Sequence, residues 1–205
     1  MIDIAAQQAE AIEKKADYWR KYLKRLADDL TVGDGYYILK ISSLWASTFA
    51  YIEWLTVFRL YILHPKFPHI DDIASTLETM WGWDKEIGKL FWAAGRHPIA
   101  HVGQANAYYS YVQYKGLSTS VSLDSGQWSE AVTGEWDQYH PNKGVAVLPP
   151  LDRGDENVQI IVFFHQMIVD ELLPKLAIGV VEQIQEEKEL GNLDKIQKLN
   201  SQILH

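Results

Sequence analysis

Residues 36–63 read YYILKISSLWASTFAYIEWLTVFRLYIL, and this stretch decides the expected fold class. Its apolar side chains recur at steps of three and four residues, which is the period of an α-helix; they include Leu39, Leu44, Trp45, Phe49, Ile52, Leu55, Phe58 and Ile62. The segment 64–68, His-Pro-Lys-Phe-Pro, then ends the pattern, because proline removes a backbone donor and clashes with the preceding helical turn. The stretch predicts one long helix.

The same spacing continues toward both ends of the chain. A first helix is predicted over 3–30, stopped by Gly33-Asp34-Gly35. Asp71 and Asp72 are expected to cap a shorter helix through Met80, and Asp84 to start another through Ala94, because carboxylates accept first-turn amides. Pro98 suits the first turn of a helix that we expect to reach Lys115.

The pattern of apolar and polar residues changes after Gly116. Leu117, Thr119, Val121 and Leu123 alternate with serines, so 117–153 is predicted as a small β-hairpin or loop insertion. From Val158 the helical step resumes through Val180 with a bend near Pro174, and a last helix is expected over 193–203. The predicted fold is all-α, an antiparallel bundle of four or five main helices with that insertion before the C-terminal helices.

These patterns predict one domain, because no repeat and no low-complexity linker divides the chain. Within the 205 residues we distinguish a bundle core over 1–115, the insertion over 117–153 and C-terminal helices over 158–205. That length suffices for one well-buried core.

Composition narrows the function classes. The chain has no Cys, which excludes disulfides, thiolate nucleophiles and Cys-based metal sites. Its net charge of −8 disfavours unspecific holding of long nucleic acid. Charged residues interrupt the two long apolar stretches, 41–63 and 158–181, so we expect no membrane contact. Because the N-terminus does not resemble a secretory signal, we expect a soluble, cytoplasmic protein. Cofactor and nucleotide signatures are missing, so no cofactor is predicted.

Candidate catalytic residues lie in segment 96–101, Arg-His-Pro-Ile-Ala-His. With Arg96 just outside a helix and His101 one turn inside, both side chains can converge near the helix N-terminus, where amides and the dipole favour an anion. An imidazole can move a proton to or from ribose and leaving oxygens, while a guanidinium stabilises charge on phosphorus oxygens. The pattern is typical of a phosphate site.

Other interpretations stay open for the same residues. His97 and His101 are four apart, the spacing of helical zinc ligands, but no third ligand is evident and no metal site is predicted. Alternatively, Arg96 pairs with a carboxylate such as Glu53 and His101 satisfies a backbone group, so that both are structural. His165, on the apolar face of a helix, is expected to be a hydrogen-bonded core histidine.

Segment 95–101, Gly-Arg-His-Pro-Ile-Ala-His, resembles the signature of the HEPN (higher eukaryotes and prokaryotes nucleotide-binding) superfamily, an arginine followed after four to six residues by a histidine. The resemblance covers mainly residues 1–115. It implies that Arg96 and His101 are catalytic, that His97 is an auxiliary polar group and that Glu53 supports the motif. It further implies a metal-independent endoribonuclease of a toxin–antitoxin or phage-defence kind, with a homodimeric composite site and RNA, together with a protein antitoxin or regulator, as partners.

Two hypotheses therefore stand beside each other. The first is a homodimeric HEPN-like ribonuclease with Arg96 and His101 near its two-fold axis, where nearby aromatics would serve the interface; these are Trp92, Tyr108, Tyr109 and Tyr111. The second is a non-enzymatic helical module that binds a protein or a nucleotide, with 8 Trp and 11 Tyr supplying its contact faces.

Overall fold

A computed structural model describes residues 3–30, 36–63, 69–96, 110–124, 144–148, 151–152, 157–192 and 194–196. Helices α1 (Ile4–Asp28), α2 (Tyr37–Leu63), α3 (Ile70–Trp81) and α4 (Lys85–Leu90) come first, and a π-helical segment, Phe91–Arg96, extends α4. Strands β1 (Ser110–Tyr114), β2 (Leu117–Asp124), β3 (Val145–Val147), β4 (Leu151–Asp152) and β5 (Asn157–Phe164) follow. The chain continues with α5 (His165–Met167), a second π-helical segment (Ile168–Leu172) and α6 (Leu173–Glu189).

The helices before residue 97 confirm the sequence predictions, and Asp84 is the cap predicted for α4. Asp3 accepts from the Ala6 amide at 3.2 Å, and Asp84 accepts from the Glu86 amide at 2.9 Å, as first-turn carboxylates do. The cap of α3 is His69 rather than Asp71: its ring accepts from the Asp71 amide, while Asp72 accepts from the His69 amide at 2.8 Å. This is a capping box built on an imidazole.

The all-α prediction is wrong, because the second half of the chain forms a mixed β-sheet. The strand order is β1-β2-β5-β3, and β4 also pairs with β5. Strands β2 and β5 are parallel, with Ser118 opposite Val158 and Asp124 opposite Phe164, whereas the other pairs are antiparallel. Residues 117–124 are therefore central to a sheet and are not a peripheral hairpin.

The helix predicted over 98–115 is also wrong where the chain is described, since β1 occupies 110–114. Lys115 and Gly116 both have positive φ, 49° and 81°, and join β1 directly to β2. Two positive-φ residues form the tight hairpin turn whose twist matches that of the strands. The prediction missed this turn because the apolar residues from Ile99 onward are spaced by three and four residues, as in a helix.

The helix predicted from Val158 begins seven residues later, at His165, because 157–164 is β5. Its segment Ile160-Ile161-Val162-Phe163-Phe164 is β-branched and aromatic, a composition that suits a strand covered on both faces. Such a short apolar run has no period that separates it from a buried helix. Pro174, near which a bend is predicted, lies in the first turn of α6, directly after the second π-helical segment.

An aromatic cluster joins the helices to the sheet. The ring of Phe163 on β5 lies 4.7 Å from that of Phe91 and 5.4 Å from that of Trp83. Phe91 in turn lies 4.6 Å from Phe49 on α2. Because offset and edge-to-face aromatic pairs add to the free energy of area burial, this cluster fixes the sheet against α2 and α4.

The C-terminal residues that are described return to α1. Residues 194–196 are helical, and the Gln8 side-chain amide donates to the Ile196 carbonyl at 2.8 Å. The rest of the helix predicted over 193–203 lies outside the described residues. Among the described residues, no helix combines the length and the apolar composition that crossing a bilayer requires.

Candidate functional site

Arg96 ends the π-helical segment that follows α4, and Gly95 explains why it lies so close to α2. A Cβ placed on Gly95 would overlap Cζ of the Phe49 ring. Only glycine lets the backbone approach the ring this closely. Phe49 and Glu53 are one helical turn apart on α2, so the residue after Gly95 arrives beside Glu53.

The guanidinium of Arg96 is held from two sides. Its Nη2 lies 3.2 Å from each carboxylate oxygen of Glu53, and its Cζ lies 5.6 Å from the centre of the Trp92 ring. The two charged side chains are 33% and 36% exposed. A single nitrogen shared between two oxygens is a looser contact than a fork with two parallel hydrogen bonds. Arg96 is thus oriented by Glu53 and Trp92 while part of its side chain stays open to solvent.

Of the four site residues predicted from sequence, the structure brings Arg96 and Glu53 together. His97 and His101 lie outside the described residues, so their geometry relative to Arg96 remains a prediction. Three of the four aromatic candidates for the dimer interface, Tyr108, Tyr109 and the side chain of Tyr111, also lie outside what is described. Trp92 belongs to the core, with 8% exposure and its ring edge-on to Phe49 at 5.8 Å.

The Arg96–Glu53 pair also fits the structural interpretation that the sequence left open, in which Arg96 binds a carboxylate. A cation and an anion at this distance largely neutralise each other. An incoming phosphate would therefore compete with Glu53 or bind guanidinium nitrogens other than Nη2. The pair by itself orients a cation at the surface, and chemistry would depend on the histidines that follow.

His165 is the most deeply buried of the histidines that the structure describes. It is 1% exposed at the start of α5, with Nε2 2.8 Å from the Thr48 hydroxyl oxygen and its ring edge-on to Trp45. The Thr48 hydroxyl donates its one proton to the Leu44 carbonyl at 2.9 Å, so Nε2 carries a proton and donates to Thr48. Burial lowers the pKa of His165 to about 3. This confirms the expected core histidine.

The sequence does not reveal the Thr48–His165 partnership. The two residues are 117 positions apart, and Thr48 stands in an apolar helix without any local motif. In the described part of the chain, no three His, Cys, Asp or Glu side chains gather as metal ligands do.

Comparisons of the chain with models of protein families, with curated proteins and with solved structures found no match. The resemblance to the HEPN superfamily therefore rests on residues 95–101 and on the helices before residue 97 alone.

Proposed function

We propose that the Arg96 end of the π-helical segment is an RNA phosphate site, and that Arg96 and His101 cleave RNA without a metal ion. The observation that supports this is the orientation of Arg96: Glu53 holds its Nη2, Trp92 lies against the guanidinium, and 33% of the side chain remains exposed. A preoriented guanidinium stabilises the charge that develops on phosphorus oxygens without reorganising during the reaction.

In the proposed reaction the ribose 2′-oxygen forms a bond to phosphorus while the bond from phosphorus to the 5′-oxygen breaks. A neutral imidazole accepts the 2′-hydroxyl proton, and a protonated imidazole gives a proton to the leaving 5′-oxygen. The products are a 2′,3′-cyclic phosphate and a 5′-hydroxyl. Two imidazoles are needed at once, so His101 of a second copy, or His97, would supply the other. A homodimer with the motifs facing each other meets that need.

The test is cleavage of a panel of single-stranded and structured RNAs in excess chelator. We expect the wild type to cut, and His101→Ala and Arg96→Ala to lose about 10²-fold or more in rate. His69→Asn and Arg25→Ala are matched controls, since His69 only caps α3 and Arg25 is exposed on α1. Equal rates in His101→Ala and wild type, or no wild-type cleavage of any RNA, would eliminate the enzyme.

A second candidate is a non-enzymatic module that binds a protein or a nucleotide. The Arg96–Glu53 ion pair itself favours this candidate. The two charges compensate each other, Arg96 also contacts Trp92, and the pair joins α2 to the π-helical segment as a structural ion pair would. Under this alternative, Arg96→Ala lowers the free energy of unfolding, and neither the wild type nor the variant cleaves RNA. Nucleotide binding without turnover would appear as ligand-dependent stabilisation of the wild type.

A further inference from the structure

A cavity of about 370 Å³ lies between α1 and α6, and Arg96 is not among the residues that line it. Its volume falls within the range of small-molecule sites, which is roughly 300–1,000 Å³. Two short side chains, Ala16 on α1 and Ala177 on α6, line it where the two helices face each other. Larger residues at these positions would fill the gap, so the space follows directly from the sequence of the two facing helices.

Four buried residues, three of them aliphatic, line the floor of the cavity. Leu173, Ala177 and Val181 of α6 line it together with Tyr51 of α2, and all four are buried. The Tyr51 ring is fixed by stacking on Trp19 at 5.4 Å. Burial raises the pKa of Tyr51, so its hydroxyl stays protonated at physiological pH. An apolar body entering here would replace water against these side chains.

The rim is acidic. Glu13 and Asp17 of α1 and Glu182 of α6 line the cavity, against one cation, Arg20. Asp17 is already engaged, because Lys21 Nζ lies 2.6 Å and Arg20 Nη2 3.4 Å from its oxygens. Within the described ranges neither Glu13 nor Glu182 has an ion-pair partner. These two carboxylates, one on each wall, are therefore available to a cation at the mouth.

We propose that this cavity binds a small organic amine, with the apolar body on the floor beside Tyr51 and the ammonium group at the rim between Glu13 and Glu182. The combination of an apolar floor and a few convergent polar groups is how small-molecule sites obtain both affinity and orientation. The sign of the rim charge selects the ligand, because an anionic analogue of the same shape would meet two uncompensated carboxylates. The site is independent of RNA cleavage.

The test compares three probes of one shape, 2-phenylethylamine, 2-phenylethanol and 3-phenylpropionate, titrated against the ¹⁵N-labelled full chain with amide shifts as the readout. We expect the amine to have a Kd about fivefold lower than the alcohol, and the acid to bind more weakly still. In Glu13→Gln/Glu182→Gln the amine should bind no better than the alcohol. The matched control is Glu78→Gln/Glu189→Gln, which removes two exposed carboxylates elsewhere and should keep the preference.

Location is tested separately from charge. Ala177→Leu fills the floor and should weaken the amine and the alcohol alike; if that variant does not fold, Ile178→Ser removes an apolar side chain that is 57% exposed at the same cavity. The proposal is overturned by equal binding of amine and alcohol to the wild type, by an amine preference that survives in Glu13→Gln/Glu182→Gln, or by binding that neither floor variant changes.

Discussion

Helix α2 carries two polar contacts that differ in almost every physical respect. Thr48 binds a histidine that is 1% exposed, whereas Glu53, five residues later, binds an arginine whose side chain is 33% exposed. The first contact is neutral and sits in a dry core, where an unpaired polar atom is costly. The second is an ion pair screened by water, where the net contribution to stability is small. The degree of burial, more than the type of bond, distinguishes a purely structural contact from one whose side chains can also bind a ligand.

The largest expected effect comes from the residue that brings the exposed pair together. Gly95→Ala places a methyl group against the Phe49 ring, so the ring or the π-helical segment must shift. We expect a loss of about 3 kcal/mol in the free energy of unfolding, typical of overpacking. Phe49→Leu in the same chain should recover part of that loss, as measured by urea denaturation. A neutral or stabilising Gly95→Ala would show that the approach is not tight.

Between pH 7 and pH 5, acid should weaken the buried contact. The pKa of His165 is about 3 in the folded chain and about 6.5 when unfolded. The unfolded state therefore binds the proton first, so stability is full above pH 6.5 and falls as the pH drops toward 3. At pH 5 the loss should be about 2 kcal/mol. Denaturation of wild type and His165→Gln between pH 7 and pH 5 checks this, since the variant should show a flatter dependence; parallel curves would contradict it.

Removing the partner of that histidine should cost somewhat less. Thr48→Val keeps the volume but leaves the His165 Nε2 proton without an acceptor in the core. The expected loss is about 1–2 kcal/mol, measured as a shift in the denaturation midpoint at pH 7. Thr79→Val is a matched control, because the Thr79 hydroxyl donates to the Ser75 carbonyl on an exposed surface. Equal losses in the two variants would mean that burial does not set the cost.

The exposed pair should give the smallest change. Glu53→Gln keeps an acceptor beside Arg96 and removes the charge, so we expect a loss of less than about 1 kcal/mol. A double-mutant cycle of Glu53→Gln with Arg96→Met isolates the coupling energy. A coupling above about 2 kcal/mol would mark the pair as structural and favour the non-enzymatic module over the ribonuclease.

The candidate site was predictable only in part. Arg96 and Glu53 were each singled out from sequence, and their contact follows from a turn of α2 and a glycine whose role is invisible without the Phe49 ring. The cavity was not predicted at all, because Ala16, Tyr51 and Ala177 belong to no motif and meet only when three helices assemble.

The helices before residue 97 follow from local sequence, because the apolar period of α1 and α2 repeats over many turns and Asp84 marks the start of α4 through a hydrogen bond to a first-turn amide. That 110–114 and 157–164 are strands, and not helices, depends on contacts made in the folded chain. These short β-branched and aromatic segments suit a buried helix and a buried strand equally well, and β5 gains its hydrogen bonds from three other strands, β2, β3 and β4. The β1–β2 hairpin is local, but β5 pairs with β2 far along the chain, with Ser118 opposite Val158, and no local pattern reveals that pairing.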